Sequence, residues 1–287
     1  MAPDRRKSRA EGSAVQSHAR RLVLLGIVLA AVAMLALLAV LVLSYTPAFT
    51  ISKVEADPTD HLSEDAIVRL AAVPEGATLL NLDESSVTGN LRRNPWVDSA
   101  TYVREFPDRL RIQVHEAKVG AIVIMGTGNV AWLMGTDGKW IEPYPIEVPE
   151  GDSINDIALG KAHGMGVLLI TDAPASVSPV AATEATDEAL RAVKSYQEGF
   201  SDELKGQIVS YSVPSADSIS CTLSSGVQVS LGMATNVDAK QRVILSILGD
   251  NSNKLTYINV RDPSNPTYRA VSSDHVQTGS GAVGEGS

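Results

Sequence analysis

The chain has 287 residues, of which 44% are hydrophobic and 20% are charged, and its formal net charge is −9. This length and apolar content suit one or two globular units and exclude a disordered chain. The net negative charge argues against nucleic acid or anionic lipid as the main partner, because an acidic body repels phosphate.

Positive charge is concentrated in residues 1–21, where six arginines and lysines outnumber Asp4 and Glu11. The next segment, Leu22 to Leu43, contains no charged residue and no proline. As a helix it would extend roughly 33 Å, enough to cross the core of a bilayer. It is longer than the apolar region of a signal peptide and lacks a small-residue cleavage pattern. We therefore predict a single N-terminal transmembrane helix over 22–43, with 1–21 as a cytoplasmic tail.

The segment after the span predicts a small β-α-α-β-β unit between Phe49 and Glu116. Residues 49–54 alternate like a strand. A first helix is expected over 63–72, with Ser63 as its N-cap and Leu62 and Ile67 as a hydrophobic staple. A second is expected from an Asp83 cap to the neighbourhood of Asn94, because Pro95 disfavours helix before it. Two strands around the Pro107-Asp108 turn complete the unit, and their charged residues predict cross-strand ion pairs on a solvated face.

The chain from 118 to 272 predicts a mixed β domain interrupted by helices. Strands are indicated at residues 121–125, 130–134, 140–141, 209–213, 219–223, 227–231, 255–260 and 268–271. Helices are indicated over 187–200 and 237–248, where apolar residues recur at helical spacing. Residues 172–186 are interpreted as an exposed loop. The glycine-rich run 160–166 is interpreted either as a flexible binding loop or as a connection between strands. The final segment, 273–287, is rich in glycine and serine and is expected to be disordered.

Residue patterns that carry catalysis or bind metals are missing from the sequence. None of the five histidines lies three or four residues from another histidine or a cysteine, so the sequence contains no zinc-binding pattern. Cys221 is the only cysteine and lies in an alternating apolar run, which predicts a buried thiol and excludes an internal disulfide. The segment 135–139 resembles half of a phosphate-binding loop and is interpreted as a turn. We expect neither a cofactor nor a metal, and no enzymatic activity.

The sequence resembles the FtsQ/DivIB family of bacterial cell division proteins. The resemblance covers about residues 20–271, and its membrane-proximal part, 49–117, resembles a POTRA domain. It rests on these matching positions: Phe49-x-Ile51, Gly76, Leu79-Leu80-Asn81-Leu82, Pro95-Trp96-Val97, Arg104, Phe106-Pro107, Leu110-x-Ile112-x-Val114-x-Glu116, 226–232, Lys240 and 257–261. Two positions depart from the family: Asn259 replaces a usual aspartate, and a common proline is missing after Glu116.

The resemblance implies a non-catalytic scaffold for septal cell-wall synthesis, located in the cell membrane at the division septum. Its implied partners are single-span coiled-coil proteins of the FtsL/DivIC/FtsB type, which bind at the C-terminal edge of the β domain. A last β-strand offers unpaired backbone groups, to which a partner can add a strand. The candidate partner-binding residues are Lys240, Arg261, Thr267, Tyr268, Arg269, Ala270 and Val271.

Three functions remain to be compared. The first is a bitopic divisome scaffold that links cytoplasmic and extracytoplasmic proteins without a small-molecule substrate. The second is a membrane-anchored enzyme of the cell envelope, which would need a nucleophile or metal constellation that the positions of the five histidines do not supply. The third is a POTRA-bearing export component, which would need a following membrane β-barrel with aromatic girdles. Aromatic residues make up only 5% of the chain, which disfavours the third.

Overall fold

The structure is a computed structural model that describes residues 24–38, 42, 47–126, 130–250 and 255–270. The predicted cytoplasmic tail and the predicted disordered tail therefore lie outside the described residues. Part of the predicted span is described: residues 24–38 are helical, and their side chains are exposed. Among the described residues, no helix is both long enough and apolar enough to cross a membrane.

The chain divides into two compact units. Unit 1 comprises Met1–Leu91 with Ala100–Val114, and unit 2 comprises Arg92–Ser99 with His115–Ser287. Unit 1 contains most of a three-stranded sheet of β1 (Lys53–Asp57), β2 (Val97–Glu105) and β3 (Arg109–Glu116), in the order β1-β3-β2. The first three residues of β2 and the last two of β3 fall in unit 2. Its two helices are α1 (Glu64–Ala71) and α2 (Glu84–Leu91). The predicted β-α-α-β-β order is therefore confirmed. The predicted position of the first strand, 49–54, was wrong, because Pro47–Phe49 form a 3₁₀ helix and β1 begins only at Lys53.

Both helices of unit 1 begin where their capping residues predict. The Ser63 hydroxyl accepts a hydrogen bond from the Ala66 backbone N–H at 3.3 Å, and the Asp83 carboxylate accepts from the backbone N–H of Ser85 at 3.0 Å. The staple residues Leu62 and Ile67 are buried. Helix α2 ends at Leu91, three residues earlier than predicted.

Arg111 is at the centre of a charged cluster on the sheet of unit 1. Its guanidinium donates to Glu105 at 3.0 Å, to Glu55 at 3.1 Å and to Asp57 at 3.3 Å. These contacts join all three strands, because the three acids lie on β1 and β2. The predicted cross-strand pairing of charges is confirmed. The hydrogen bonds to Glu105 and Asp57 raise the pKa of Arg111.

Unit 2 contains a nine-stranded mixed sheet in the order β12-β11-β10-β9-β8-β7-β4-β5-β6. Its strands are β4 (Val119–Met125), β5 (Ala131–Gly135), β6 (Trp140–Tyr144), β7 (Leu168–Ala173), β8 (Ile208–Ser212), β9 (Ser220–Leu223), β10 (Gln228–Ser230), β11 (Leu255–Asn259) and β12 (Thr267–Ala270). Its helices are α3 (Ile154–Met165), α4 (Glu188–Gly199), α5 (Asp202–Lys205) and α6 (Val237–Asp250). The fold class is α+β, as predicted.

Strand β4 shows how the sheet of unit 2 is buried on both faces. Ala121 and Val123 belong to a large core that includes residues of α4 and α6. Ile122 and Ile124 belong to a smaller core that includes Ala158 of α3. Because successive strand residues point to opposite faces, a continuous apolar run indicates burial on both sides.

The interpretation of residues 160–166 as a strand connection was wrong. They form the second half of helix α3, which Ser153 caps at its N-terminus and Gly166 at its C-terminus. Strand β7, which follows α3, was also missed, although it lies between β4 and β8 in the sheet. By contrast, residues 135–139 do form the predicted turn between β5 and β6, where the Gly138 N–H donates to the Gly135 carbonyl at 2.9 Å.

Candidate docking edge

Strand β12 is the last strand at one edge of the nine-stranded sheet. It runs antiparallel to β11, and Tyr268 lies opposite Ile258 while Arg269 lies opposite Tyr257. All four residues of β12 are exposed, and Tyr268 is 51% exposed. The structure therefore places Thr267, Tyr268, Arg269 and Ala270 together at an edge with which no other described strand pairs. The fifth predicted strand residue, Val271, lies outside the described residues.

The orientation of the β12 backbone follows from one contact. The Thr256 hydroxyl lies 3.5 Å from the backbone carbonyl oxygen of Arg269, which places that carbonyl on the side of β11. Residues of an antiparallel strand alternate in the side toward which their N–H and C=O groups point. The N–H and C=O groups of Tyr268 and Ala270 therefore face away from the sheet, where a further strand would pair with them.

An arginine–tyrosine contact lies beside this edge. The Arg269 guanidinium carbon is 5.6 Å from the centre of the Tyr257 ring on β11. A guanidinium over a ring at this distance is attracted by the ring's π electrons, by about 0.5–1 kcal/mol at an exposed site. Tyr257 was not among the predicted partner-binding residues. The cross-strand pairing that brings it to Arg269 was not evident from either segment alone.

Arg261 lies just after β11 and holds the neighbouring loop in place. Its guanidinium donates to the Asp217 backbone carbonyl at 3.1 Å, and its backbone N–H donates to the Asn259 side chain at 3.1 Å. Its side chain also packs on Gly232, where an added Cβ would lie 3.1 Å from the Arg261 Cγ. The exposed guanidinium is thus positioned by contacts within unit 2.

Lys240 occupies a different environment from the other predicted residues, because its side chain is 1% exposed. Its ammonium nitrogen donates to the backbone carbonyls of Leu231 at 2.7 Å and Met233 at 2.5 Å. It also lies 3.0 Å from the Tyr196 hydroxyl. Burial lowers the pKa of Lys240, and the positive charge of Arg261 lowers it further. These contacts support a structural role for the side chain, while its predicted role in partner binding stays a prediction.

The chemistry available elsewhere in the described residues is limited. Within them, no group of three or more histidine, cysteine, aspartate or glutamate side chains is arranged to hold a metal ion. Cys221 is buried, as predicted, and burial raises the pKa of its thiol to about 12. A thiol with so high a pKa remains protonated at neutral pH and is a poor nucleophile.

Comparison with known proteins agrees with the fold of unit 1. Residues 49–117 match the family model described as the POTRA domain, FtsQ-type. This range contains every strand and helix of unit 1 described above, from β1 to β3.

Several curated proteins named "Cell division protein FtsQ" are similar to this chain. The protein of Bradyrhizobium diazoefficiens is 31% identical over 96 residues, which are 33% of this chain and 28% of that protein. The protein of Rhodothermus marinus is 28% identical over 64% of this chain and 65% of its own length. The protein of Streptomyces venezuelae is 26% identical over 70% of this chain and 67% of its own length.

The extent of the similarity differs between relatives, and the chain spans less than half the length of several curated proteins that it matches. All of the relatives described above carry the same name, and the family model identifies the same domain type. The chain therefore carries an FtsQ-type POTRA domain, and its resemblance to the FtsQ/DivIB family of bacterial cell division proteins is confirmed.

Proposed function

We propose that the chain is a non-catalytic, bitopic membrane scaffold of the divisome. In this proposal residues 1–21 lie in the cytoplasm, 22–43 cross the membrane, and the POTRA domain (49–117) and β domain (118–272) lie outside the cell membrane. The scaffold links cytoplasmic and extracytoplasmic division proteins and so supports septal cell-wall synthesis. The similarity to proteins named for cell division supports this role.

The observation that carries the proposal is the open edge of β12. A strand at the edge of a nine-stranded sheet presents unpaired backbone donors and acceptors, which a partner segment satisfies by adding a tenth strand. The exposed Tyr268 and Arg269 flank these groups, and both residue types are enriched among the side chains that dominate binding energy at interfaces. In this proposal Arg261 extends the same surface beyond the end of β11.

The proposed partners are membrane proteins of the FtsL/DivIC/FtsB type, each with a single span and a coiled-coil segment. This class of partner is proposed for the chain because of the family resemblance. The edge geometry supports binding by an extended segment, since side chains of such a segment would alternate between the two faces of the sheet. A helical coiled-coil region would then connect that segment to the membrane.

Localisation in dividing cells tests the proposed function. We expect a fluorescent fusion of the full chain to form a band at mid-cell before constriction, and its depletion to produce filamentous cells. Affinity purification of the full chain from membranes of dividing cells should recover a single-span coiled-coil partner. A uniform membrane distribution with normal division after depletion would contradict the scaffold role.

A cell-wall turnover assay distinguishes the scaffold from the membrane-anchored enzyme considered at the outset. Purified full-length chain in detergent is incubated with isolated peptidoglycan, and soluble fragments are measured by mass spectrometry. We expect no fragments above a heat-denatured control. Release of fragments that depends on the folded chain would replace the scaffold by a hydrolase.

A further inference from the structure

Unit 1 carries an aromatic pair at the end from which the chain enters it, with one ring exposed and the other, Phe49, partly buried. The chain has three phenylalanines, and two of them, Phe49 and Phe106, lie together with ring centres 5.6 Å apart in an edge-to-face arrangement. Phe106 sits between β2 and β3 and is 57% exposed. An exposed ring leaves apolar area in water, and removing that area from water is favourable.

Hydrogen bonds connect this pair to the first residues of unit 1. The Ser52 N–H donates to the Asp108 carbonyl at 3.0 Å, and the Leu79 N–H donates to the Phe49 carbonyl at 2.9 Å. The Ser52 hydroxyl also bonds to the Asp108 carboxylate. The turn that carries Phe106 is therefore fixed against the segment that begins at Phe49. Leu80, next to Leu79, adds another exposed apolar side chain.

The length of the connecting chain places this pair near the proposed membrane span. The apolar run ends at Leu43, and Phe49 follows six residues later. A fully extended chain covers at most about 3.5 Å per residue, so Phe49 lies within about 20 Å of the end of that run. The hydrocarbon core of a bilayer is roughly 30 Å thick, and the headgroup layers on its two sides bring the total to about 40–45 Å. The pair can therefore reach the outer boundary of the headgroup layer.

The charges near the pair are balanced. Lys53 and Arg109 are directly opposite each other on β1 and β3, and both contact Glu55, at 2.5 Å and 4.0 Å. Asp108 lies on the adjoining turn. Glu105, which precedes Phe106, pairs with Arg111 at 3.0 Å. With three cations and three acids at this end, neither anionic lipid nor a charged protein is specifically favoured. Phenylalanine, in contrast, is a residue that membrane-surface segments place against the acyl boundary.

We propose that the Phe49–Phe106 pair of unit 1 is a lipid-contact site that rests in the headgroup layer of the membrane. The occupant is the lipid surface itself, and the contact is made mainly by the two rings. This inference rests on the proposed membrane anchor of the proposed function. It adds a second attachment that orients the POTRA domain on the membrane.

Site-specific fluorescence on the full chain tests the lipid contact. Cys221→Ala supplies a background without the native thiol. Phe106→Cys is labelled with an environment-sensitive nitrobenzoxadiazole group, and the chain is reconstituted into phosphatidylcholine vesicles containing a lipid with a nitroxide headgroup. Val180→Cys is the matched control, because Val180 is also 57% exposed but lies in unit 2.

We expect the nitroxide lipid to quench the label at position 106 at least twofold more than the label at position 180. Because the label itself is aromatic, a second arm places it at Val103, which is 41% exposed on β2, and leaves Phe106 in place. With the label at position 103, Phe106→Ser should reduce the quenching of that label by about half. Equal quenching at 106 and 180, or no effect of Phe106→Ser, would overturn the lipid contact. Protection of position 106 that requires an added division partner would also overturn it and indicate a protein occupant.

Flotation of the same vesicles separates this inference from the anchor on which it rests. If the labelled chain floats with the vesicles and position 106 is not quenched, the lipid contact is wrong and the anchor stands. If the chain does not float, the proposed span fails, and the lipid contact fails with it. Mid-cell localisation and partner recovery test the scaffold role without reference to Phe106.

Discussion

At the scale of single residues, Lys240 on α6 and Tyr196 on α4 both bind the segment that follows β10. The Tyr196 hydroxyl lies 2.5 Å from the Met233 carbonyl oxygen, and the Lys240 ammonium donates to the same oxygen and to that of Leu231. The backbone carbonyls of Leu231 and Met233, just after β10, thus accept hydrogen bonds inside the protein. Each buried polar group that loses such a partner lowers the stability of the folded state by about 1–3 kcal/mol.

We predict that Lys240→Met lowers the free energy of unfolding by about 1–3 kcal/mol, because the carbonyls would retain only the Tyr196 hydroxyl. Chemical denaturation monitored by circular dichroism measures the change. Lys194→Met is the matched control, since Lys194 is exposed on α4, and it should change stability by less than about 0.5 kcal/mol. Equal stability of Lys240→Met and the parent would contradict the structural role of Lys240.

The buried thiol of Cys221 predicts a loss of stability at alkaline pH. Burial raises the pKa of the thiol from 9.0 to about 12, so the folded state keeps the proton that the unfolded chain releases. The free energy of unfolding should therefore fall as pH rises above 9, by at most about 1.4 kcal/mol per pH unit, until the folded pKa is reached.

Denaturation of the parent and of Cys221→Ala at pH 8 and pH 10 isolates this effect. Burial also raises the pKa values of Tyr196 and Tyr211, but both tyrosines are present in the two proteins. We expect the parent to lose about 1 kcal/mol more than the variant between these pH values. The same loss in both proteins would show that the thiol is accessible to water in the folded state.

At the scale of elements, local signals located most helices and strands. The caps Ser63 and Asp83 marked the starts of α1 and α2 to within a residue, because an N-cap side chain acts on the adjacent backbone and needs no tertiary contact. For strands β8 to β12, the predicted ends lie within one or two residues of the observed ends. Helix α3 was missed because Gly160 and Gly164 reduce its intrinsic helix propensity and lie in a segment that reads as a flexible loop.

The two glycines at the centre and end of α3 should respond oppositely to alanine. Gly160 lies in the helix interior with nothing within 4 Å of an added Cβ, whereas Gly166 caps the helix with a φ of +68°. We predict that Gly160→Ala raises the free energy of unfolding by about 0.5–1 kcal/mol. Gly166→Ala should lower it by about 1–2 kcal/mol, because alanine is strained at positive φ.

Thermal unfolding of both alanine variants against the parent measures these changes. The pair forms its own control, since the same side chain is added a short distance apart in one helix. A stabilising effect of Gly166→Ala would mean that residues 160–166 do not end the helix as described. A destabilising effect of Gly160→Ala would mean that a neighbour occupies the space beside it.

At the scale of the whole molecule, sequence patterns identified strands but not their order. Strand β4 pairs in parallel with β7, and β10 pairs in parallel with β11. Parallel pairs need long crossover connections, so neighbours in the sheet are distant in sequence and leave no local signal. The position of β12 at an edge of the sheet was nevertheless predicted correctly, from its place as the last of the described strands. The burial of Lys240 was not evident, because it depends on α4 packing beside α6.

The direction of the β12 backbone groups provides the most direct test of edge docking. The N–H of Tyr268 faces away from the sheet, so Tyr268→Pro removes a donor that only an added strand would use. Proline is tolerated on edge strands where the N–H faces solvent. Tyr268→Ala removes the side chain but keeps the donor, and so separates the backbone contribution from that of the ring.

The deciding measurement is the amount of coiled-coil division partner of the FtsL/DivIC/FtsB type that co-purifies with each full-length variant, at equal expression and equal melting temperature. For Tyr268→Pro we predict a loss of binding of at least about tenfold, or ~1.4 kcal/mol, and a smaller loss for Tyr268→Ala. Parent-level recovery of the partner by a folded Tyr268→Pro protein would contradict docking at the edge of β12.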